Sequence, residues 1–123
     1  MSMSSKAIIE FRPVNDRSCI IDVQGELTAF AEESLMDAYN RGCGGGVRYV
    51  LLNFGGLEYM SSSGIGLLVT LLIRAQRQQQ QMFAYGLSEH YCHILELTRL
   101  DEAIALYPGE AEALAATEAG PDR

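Results

Sequence analysis

Leu57-Glu58-Tyr59-Met60-Ser61-Ser62-Ser63-Gly64-Ile65-Gly66-Leu67 places three consecutive hydroxyls where a strand-like run gives way to a helix. Upstream, Tyr49-Val50-Leu51-Leu52-Asn53-Phe54 is a short apolar run closed by Gly55-Gly56, the pattern of a strand buried on both faces. Downstream, Ile65, Leu68, Val69, Leu72 and Ile73 recur at helical spacing, and Arg74-Ala75-Gln76-Arg77 carries the helix toward solvent. One of the three serines is therefore expected to be the N-cap, accepting a free backbone N–H of the first turn, worth about 1 kcal/mol over Ala. The unpaired N–H groups and the positive end of the helix dipole also favour an added anion there, by roughly 0.3–1 kcal/mol. A phosphoserine fits such a junction without unfolding it. Capping alone also accounts for the serines, and close helix packing accounts for Gly64 and Gly66, so the residue types permit a phosphate without requiring one.

Other clusters offer less. His90, Cys92 and His93 crowd together, and the two histidines share a helical face at i, i+3, but no fourth ligand stands at a defined spacing; a surface or structural role is expected. Glu32-Glu33 and Asp101-Glu102 are neighbours in sequence only, and adjacent helical residues point apart, which disfavours paired acid/base chemistry. Ser61-Ser62-Ser63-Gly64 lacks the leading glycine of a Gly-x-Ser-x-Gly nucleophile elbow. Gly44-Gly45-Gly46 follows a helix instead of a strand and has no Lys-Ser/Thr after it, so it reads as a flexible connection and not as a phosphate-cradling loop. Gln78-Gln79-Gln80-Gln81 reads as a solvated helix end. No enzymatic activity and no cofactor or metal is expected of this chain.

The elements that must position the serines follow from periodicity and punctuation. Lys6 to Val14 and Cys19 to Gln24 read as strands joined at Asn15-Asp16 in a hairpin. A helix is expected from about Ala29 to Arg41, capped by Thr28, with Phe30, Leu35, Met36 and Tyr39 as its apolar positions. After the Tyr49 strand and the serine helix come a strand at Met82 to Gly86, a helix capped by Ser88 to about Leu97, a strand near Ala103 to Leu106, and a helix after Pro108 to about Ala116. Strands separated by helices make an α/β layer, and the hairpin makes its sheet mixed. With 123 residues, 48% of them hydrophobic, one domain is expected, spanning residues 6–117, with residues 1–5 disordered and 118–123 frayed. A net charge of −7 argues against nucleic acid or anionic lipid as a partner. Met1 to Lys6 is too polar for a signal peptide, Ile65 to Ile73 is too short to span a bilayer, and Cys19, Cys43 and Cys92 are odd in number and widely spaced; a soluble, cytoplasmic protein with free thiols is expected. Leu67 and Leu71 lie off the Ile65/Leu68/Leu72 stripe, so the serine helix is apolar most of the way round its first turns: either it is central in the core or it offers a partner a patch beside the serines.

The serine segment resembles the signature of the STAS domain of bacterial anti-sigma factor antagonists, roughly L-x-[FY]-[MI]-D-S-S-G-[LI]-G. Gln24-Gly25-Glu26-Leu27 is similar to the family's Gly-Glu-Leu segment, with Glu33 and Leu35 at matching distance in the next helix. Gly86-Leu87-Ser88, Ile94 to Leu100 and Ala103-Ile104 resemble its last strand-helix-strand passage, so the likeness runs from about Ile8 to Leu114. The resemblance implies a single STAS-like α/β domain, a mixed sheet of about four to five strands packed with about four helices. It implies phosphorylation at Ser62 and a partner surface drawn from Thr28, Ser61, Ser63, Gly64, Leu67 and Leu71. The implied partner is an anti-sigma factor that is also a serine kinase, bringing its own ATP and Mg²⁺, with a PP2C-type phosphatase as the resetting enzyme. Two charges added at ~6 Å from a partner carboxylate, at an effective dielectric of ~40, cost roughly 3 kcal/mol before screening, about a hundredfold in affinity. Two positions depart from the pattern: Ser61 stands where the family usually has an acid, and Thr28 where an acid usually follows Gly-Glu-Leu. These departures keep open an alternative reading as a non-switching scaffold, or an accessory subunit of a stressosome-type or lipid-transporter complex.

Overall fold

Asn15 closes the first turn by accepting the Arg17 N–H on its side-chain oxygen at 2.8 Å, and Val14 N–H donates to Ser18 O at 3.0 Å. The strands on either side, β1 (Ile8–Pro13) and β2 (Ser18–Leu27), pair antiparallel as the hairpin signal predicts. The computed structural model describes residues 7–119. After β2 come a 3₁₀ turn at Ala29–Ala31, α1 (Glu32–Gly42), β3 (Tyr49–Met60), α2 (Ser62–Arg77), β4 (Gln81–Tyr85), α3 (Glu89–Leu97), β5 (Ile104–Tyr107) and α4 (Glu110–Ala119). The five strands lie in sequence order across one sheet, β2 to β5 all parallel. This is the mixed α/β domain expected. The expected end states of residues 1–5 and 120–123 lie outside the described residues, while residues 118 and 119 belong to α4.

Strands that follow one another in order, with crossovers of a single hand, send every intervening helix to the same face. That face holds the larger core: Leu35 and Tyr39 of α1, Leu68, Leu71 and Ala75 of α2, and Leu95 of α3 pack on Ile21, Val50, Leu52, Phe54 and Met82. Among the described residues the other face is covered by α4 alone, with Ala113 buried against Ile20, Tyr49, Leu51, Phe83 and Tyr85. So small an apolar helix needs a further hold, and a polar clamp supplies one. Arg12 donates to both oxygens of Asp22, at 2.6 and 2.9 Å, and to Glu110 at 3.1 Å. Asn53 donates to Asp22 at 2.7 Å, and the Tyr85 hydroxyl donates to Glu110 at 2.7 Å. The Arg12 hydrogen bonds hold the Asp22 carboxyl below its ordinary range, and the Tyr85 and Arg12 donors do the same for Glu110.

The glutamine run differs from expectation at one residue. Gln80 is buried, donating to the carbonyls of Cys43 and Val47 at 2.7 and 3.0 Å and accepting from the Tyr39 hydroxyl at 2.7 Å. A single amide thus ties the loop after α1 to the turn before β4, which restrains the 43–47 connection and removes Gln80 from solvent. Cys19 and Cys43 are buried free thiols, and burial raises the pKa of Cys92, which is partly exposed.

Candidate functional site

β3 does not stop at Gly55-Gly56. It continues to Met60, and between the pairs Asp22↔Asn53 and Leu27↔Met60 it carries two more residues than β2, absorbed in two register shifts. Such bulges bend a strand pair and re-aim its ends. Here they bring Thr28 and Ser61, the residues just past the last pair, to one end of the sheet. Ser61 N–H donates to Leu27 O at 3.1 Å, and the Tyr91 hydroxyl of α3 accepts the Met60 N–H at 2.9 Å. The strand end that presents the serines is therefore held from both sides.

Ser61 is the N-cap. Its backbone is extended, its Oγ accepts Gly64 N–H at 3.1 Å, and its carbonyl accepts Ile65 N–H at 3.0 Å. Ser62 and Ser63 occupy the first turn with exposed side chains. Their own N–H groups have no hydrogen-bond partner among the described residues. The first turns of α1, α3 and α4 carry Glu32 and Glu33, Glu89, and Glu110 and Glu112 respectively, whereas that of α2 carries no acid. The positive end of α2 is thus left uncompensated where two hydroxyls face solvent.

Of the residues expected at the partner surface, Thr28, Ser61 and Ser63 gather with Ser62, and three do not serve as expected. Leu67 and Leu71 are 6% and 0% exposed, because α2 lies between α1 and α3 on the sheet and buries a wide apolar arc; they are core residues, not a docking patch. Gly64 is buried as well: a Cβ there would collide with the Leu27 carbonyl, so glycine lets α2 pack against the end of β2. The exposed apolar surface at this end is supplied instead by Phe30, 98% exposed, and Tyr59, 47% exposed. Thr28 caps the short 3₁₀ turn, accepting Phe30 N–H at 3.3 Å, and that turn swings Phe30 outward. The sequence held a signal for this, since Phe30 stands five residues before Leu35, off the Ala31/Leu35/Ala38/Tyr39 stripe that α1 buries. Near α3, no group of three or more His, Cys, Asp or Glu side chains among the described residues converges to hold a metal.

An α/β domain with helices α1 to α3 on one face, and a capped serine turn where β3 meets the middle one, defines a class of small α/β domains. The STAS domain model matches residues 12–113, and the chain belongs to that family. It is 24% identical over 94 residues to the anti-sigma-B factor antagonist of Staphylococcus aureus strain NCTC 8325, covering 76% of this chain and 87% of that protein. An anti-sigma factor antagonist from Mycobacterium paratuberculosis shares the fold with a TM-score of 0.79 at 18% identity, over 96% of this chain and 99% of the other. The Bacillus cell fate determinant SpoIIAA in its phosphorylated form aligns with a TM-score of 0.68 at 21% identity, over 89% and 99%. Among the described residues no helix is long and apolar enough to cross a membrane.

Proposed function

We propose that this protein is an anti-sigma factor antagonist whose binding is switched by phosphorylation of Ser62, and that it performs no chemistry itself. The observation that carries the reading is the division of labour among the serines. Ser61 spends its oxygen on the cap, while Ser62 stands exposed in the first turn of α2, the one α-helix among the described residues that starts without an acid. Unphosphorylated, the surface of Thr28, Phe30, Tyr59 and the serine turn docks a kinase-type anti-sigma factor and frees its sigma factor. A phosphate on Ser62 adds about −1.5 to −2 charges, which the free N–H groups of the turn accommodate with no refolding. A partner seated on that turn then faces the charge, and a single carboxylate at ~6 Å suffices for about a hundredfold loss of affinity. A PP2C-type phosphatase restores binding, and the exchange takes place in the cytoplasm.

The test is to incubate the protein with a kinase-type anti-sigma factor from the same organism and ATP, and to map the modified residue by mass spectrometry. Label on Ser62 that disappears in Ser62→Ala is expected; no label, or label unaffected by that substitution, overturns the switch. Binding measured by calorimetry should fall about tenfold for Ser62→Asp, which adds one charge where a phosphate adds nearly two, and little for Thr70→Asp, two turns further along the helix. A second reading, a constitutive scaffold or accessory subunit, is favoured by Thr28 and Ser61, whose hydroxyls are engaged as caps where the family usually carries acids. It predicts a stable copurifying complex that survives Ser62→Ala.

A further inference from the structure

We infer that the outer edge of β1 is a self-association surface, pairing antiparallel with β1 of a second copy about a two-fold axis through Phe11. The edge is open: β1 pairs only with β2, and no other strand among the described residues covers its far side. Seven large hydrophobic residues are exposed among the described residues, and three of them, Ile8 at 56%, Phe11 at 38% and Val14 at 39%, fall within this one stretch. Val14 N–H donates to Ser18 O, so alternation along the antiparallel pair turns the backbone groups of residues 8, 10 and 12 toward β2. Those of Ile9, Phe11 and Pro13 therefore face outward.

That phase restricts a symmetric partner to axes that oppose outward-facing residues, and charge selects among them. An axis through Glu10 sets Glu10 against Glu10, and one through Arg12 sets Arg12 against Arg12; like charges directly opposite destabilise a strand pair. An axis through Phe11 instead sets Glu10 opposite Arg12 and Ile8 opposite Val14, twice over, on the α4 face, with Phe11 meeting Phe11 on the face of α1. Glu10 makes no ion pair among the described residues, and Arg12, although bound to Asp22 and Glu110, keeps 46% of its side chain exposed. The backbone agrees with this register. The two Phe11 residues exchange N–H···O bonds, and each Ile9 N–H meets a Pro13 carbonyl. Pro13 has no N–H to extend the ladder, and both copies use the same edge, so the pairing closes at a dimer instead of growing. Phe11 is already seated for it, its side chain lying where a Cβ on Gly42 would stand.

Sedimentation velocity over a concentration series of the full chain should show a reversible monomer–dimer equilibrium. Glu10→Arg, which opposes arginine to Arg12, should weaken it about tenfold or more. The register is read by disulfide trapping in a Cys92→Ser background, which removes the one thiol that is not buried. With oxidised glutathione, Ile8→Cys protein mixed with Val14→Cys protein should form a cross-linked dimer, and neither alone should do so, because these positions face each other as a closely spaced pair. A monomer at every concentration overturns the inference. So does a dimer indifferent to Glu10→Arg, or one that fails to trap the 8–14 pair.

Discussion

Ser61 and Gly64 show how tightly the serine turn is specified by its surroundings. The family pattern carries an acid where this chain has Ser61, and the hydrogen bond to Gly64 N–H explains why the exchange is tolerated: Asp and Ser are comparable N-caps. Ser61→Asp should therefore leave stability within a few tenths of a kcal/mol, whereas Ser61→Ala should cost about 1 kcal/mol in urea denaturation. Gly64 and Gly66 look alike in sequence and are opposites in space. A Cβ at Gly64 runs into the Leu27 carbonyl, while at Gly66 nothing lies within 4 Å. Gly64→Ala is expected to destabilise by about 1–3 kcal/mol through overpacking, and Gly66→Ala to stabilise by about 0.5–1 kcal/mol through helix propensity. Equal effects in chemical denaturation would mean that α2 does not approach β2 as described.

At the scale of elements, α2 was readable in its position and cap, but not in what surrounds it. Periodicity marks which residues of a helix are apolar; it does not tell whether neighbouring helices flank it, and that flanking buried Leu67 and Leu71. The length of β3 was hidden for a related reason. Gly55-Gly56 is a turn signal locally, yet β3 bulges there and its continued pairing with β2 carries the strand on to Met60. Phe30 was placed on the buried side of α1 because Thr28 was expected to cap that helix directly, whereas it caps a 3₁₀ turn first. The succession of elements along the chain, the hairpin and the Ser88 cap were legible because each rests on residues close in sequence. The uncompensated start of α2 carries a prediction of its own. Ser62→Asp should stabilise the fold by about 0.3–1 kcal/mol at low ionic strength, seen as a raised thermal midpoint. A lowered midpoint would mean that loss of partner binding in this variant reflects damage to α2 and not added charge.

Across the whole molecule, among the described residues, Arg41, Arg74 and Arg77 stand in last turns of helices, and acids stand in the first turns of α1, α3 and α4, so outside the start of α2 the charge pattern follows the helix dipoles. The exception that joins elements is Arg12, which links β1 through Asp22 and Glu110 to the helix covering the second face of the sheet. Asp22 and Glu110 ordinarily titrate near 3.8 and 4.5, and both are held lower in the fold, the first chiefly by Arg12 and the second chiefly by Tyr85. A carboxyl whose pKa is lower folded than unfolded binds fewer protons in the native state. The stability it contributes is complete above its unfolded value and is lost as pH falls through its folded one. The thermal midpoint should therefore vary little from neutrality to about pH 5 and drop below it. Glu110→Gln should lower the midpoint at neutral pH and flatten this acid limb, so that variant and parent converge as Glu110 becomes protonated. Since Glu110 holds α4, the apolar face beneath that helix should open along the same limb in the parent, raising the fluorescence of an added hydrophobic dye, whereas in Glu110→Gln the dye signal should be raised already at neutral pH and change less with acid. Parallel acid limbs, offset but never converging, would show that Glu110 contributes packing alone and that the clamp on α4 is not ionic.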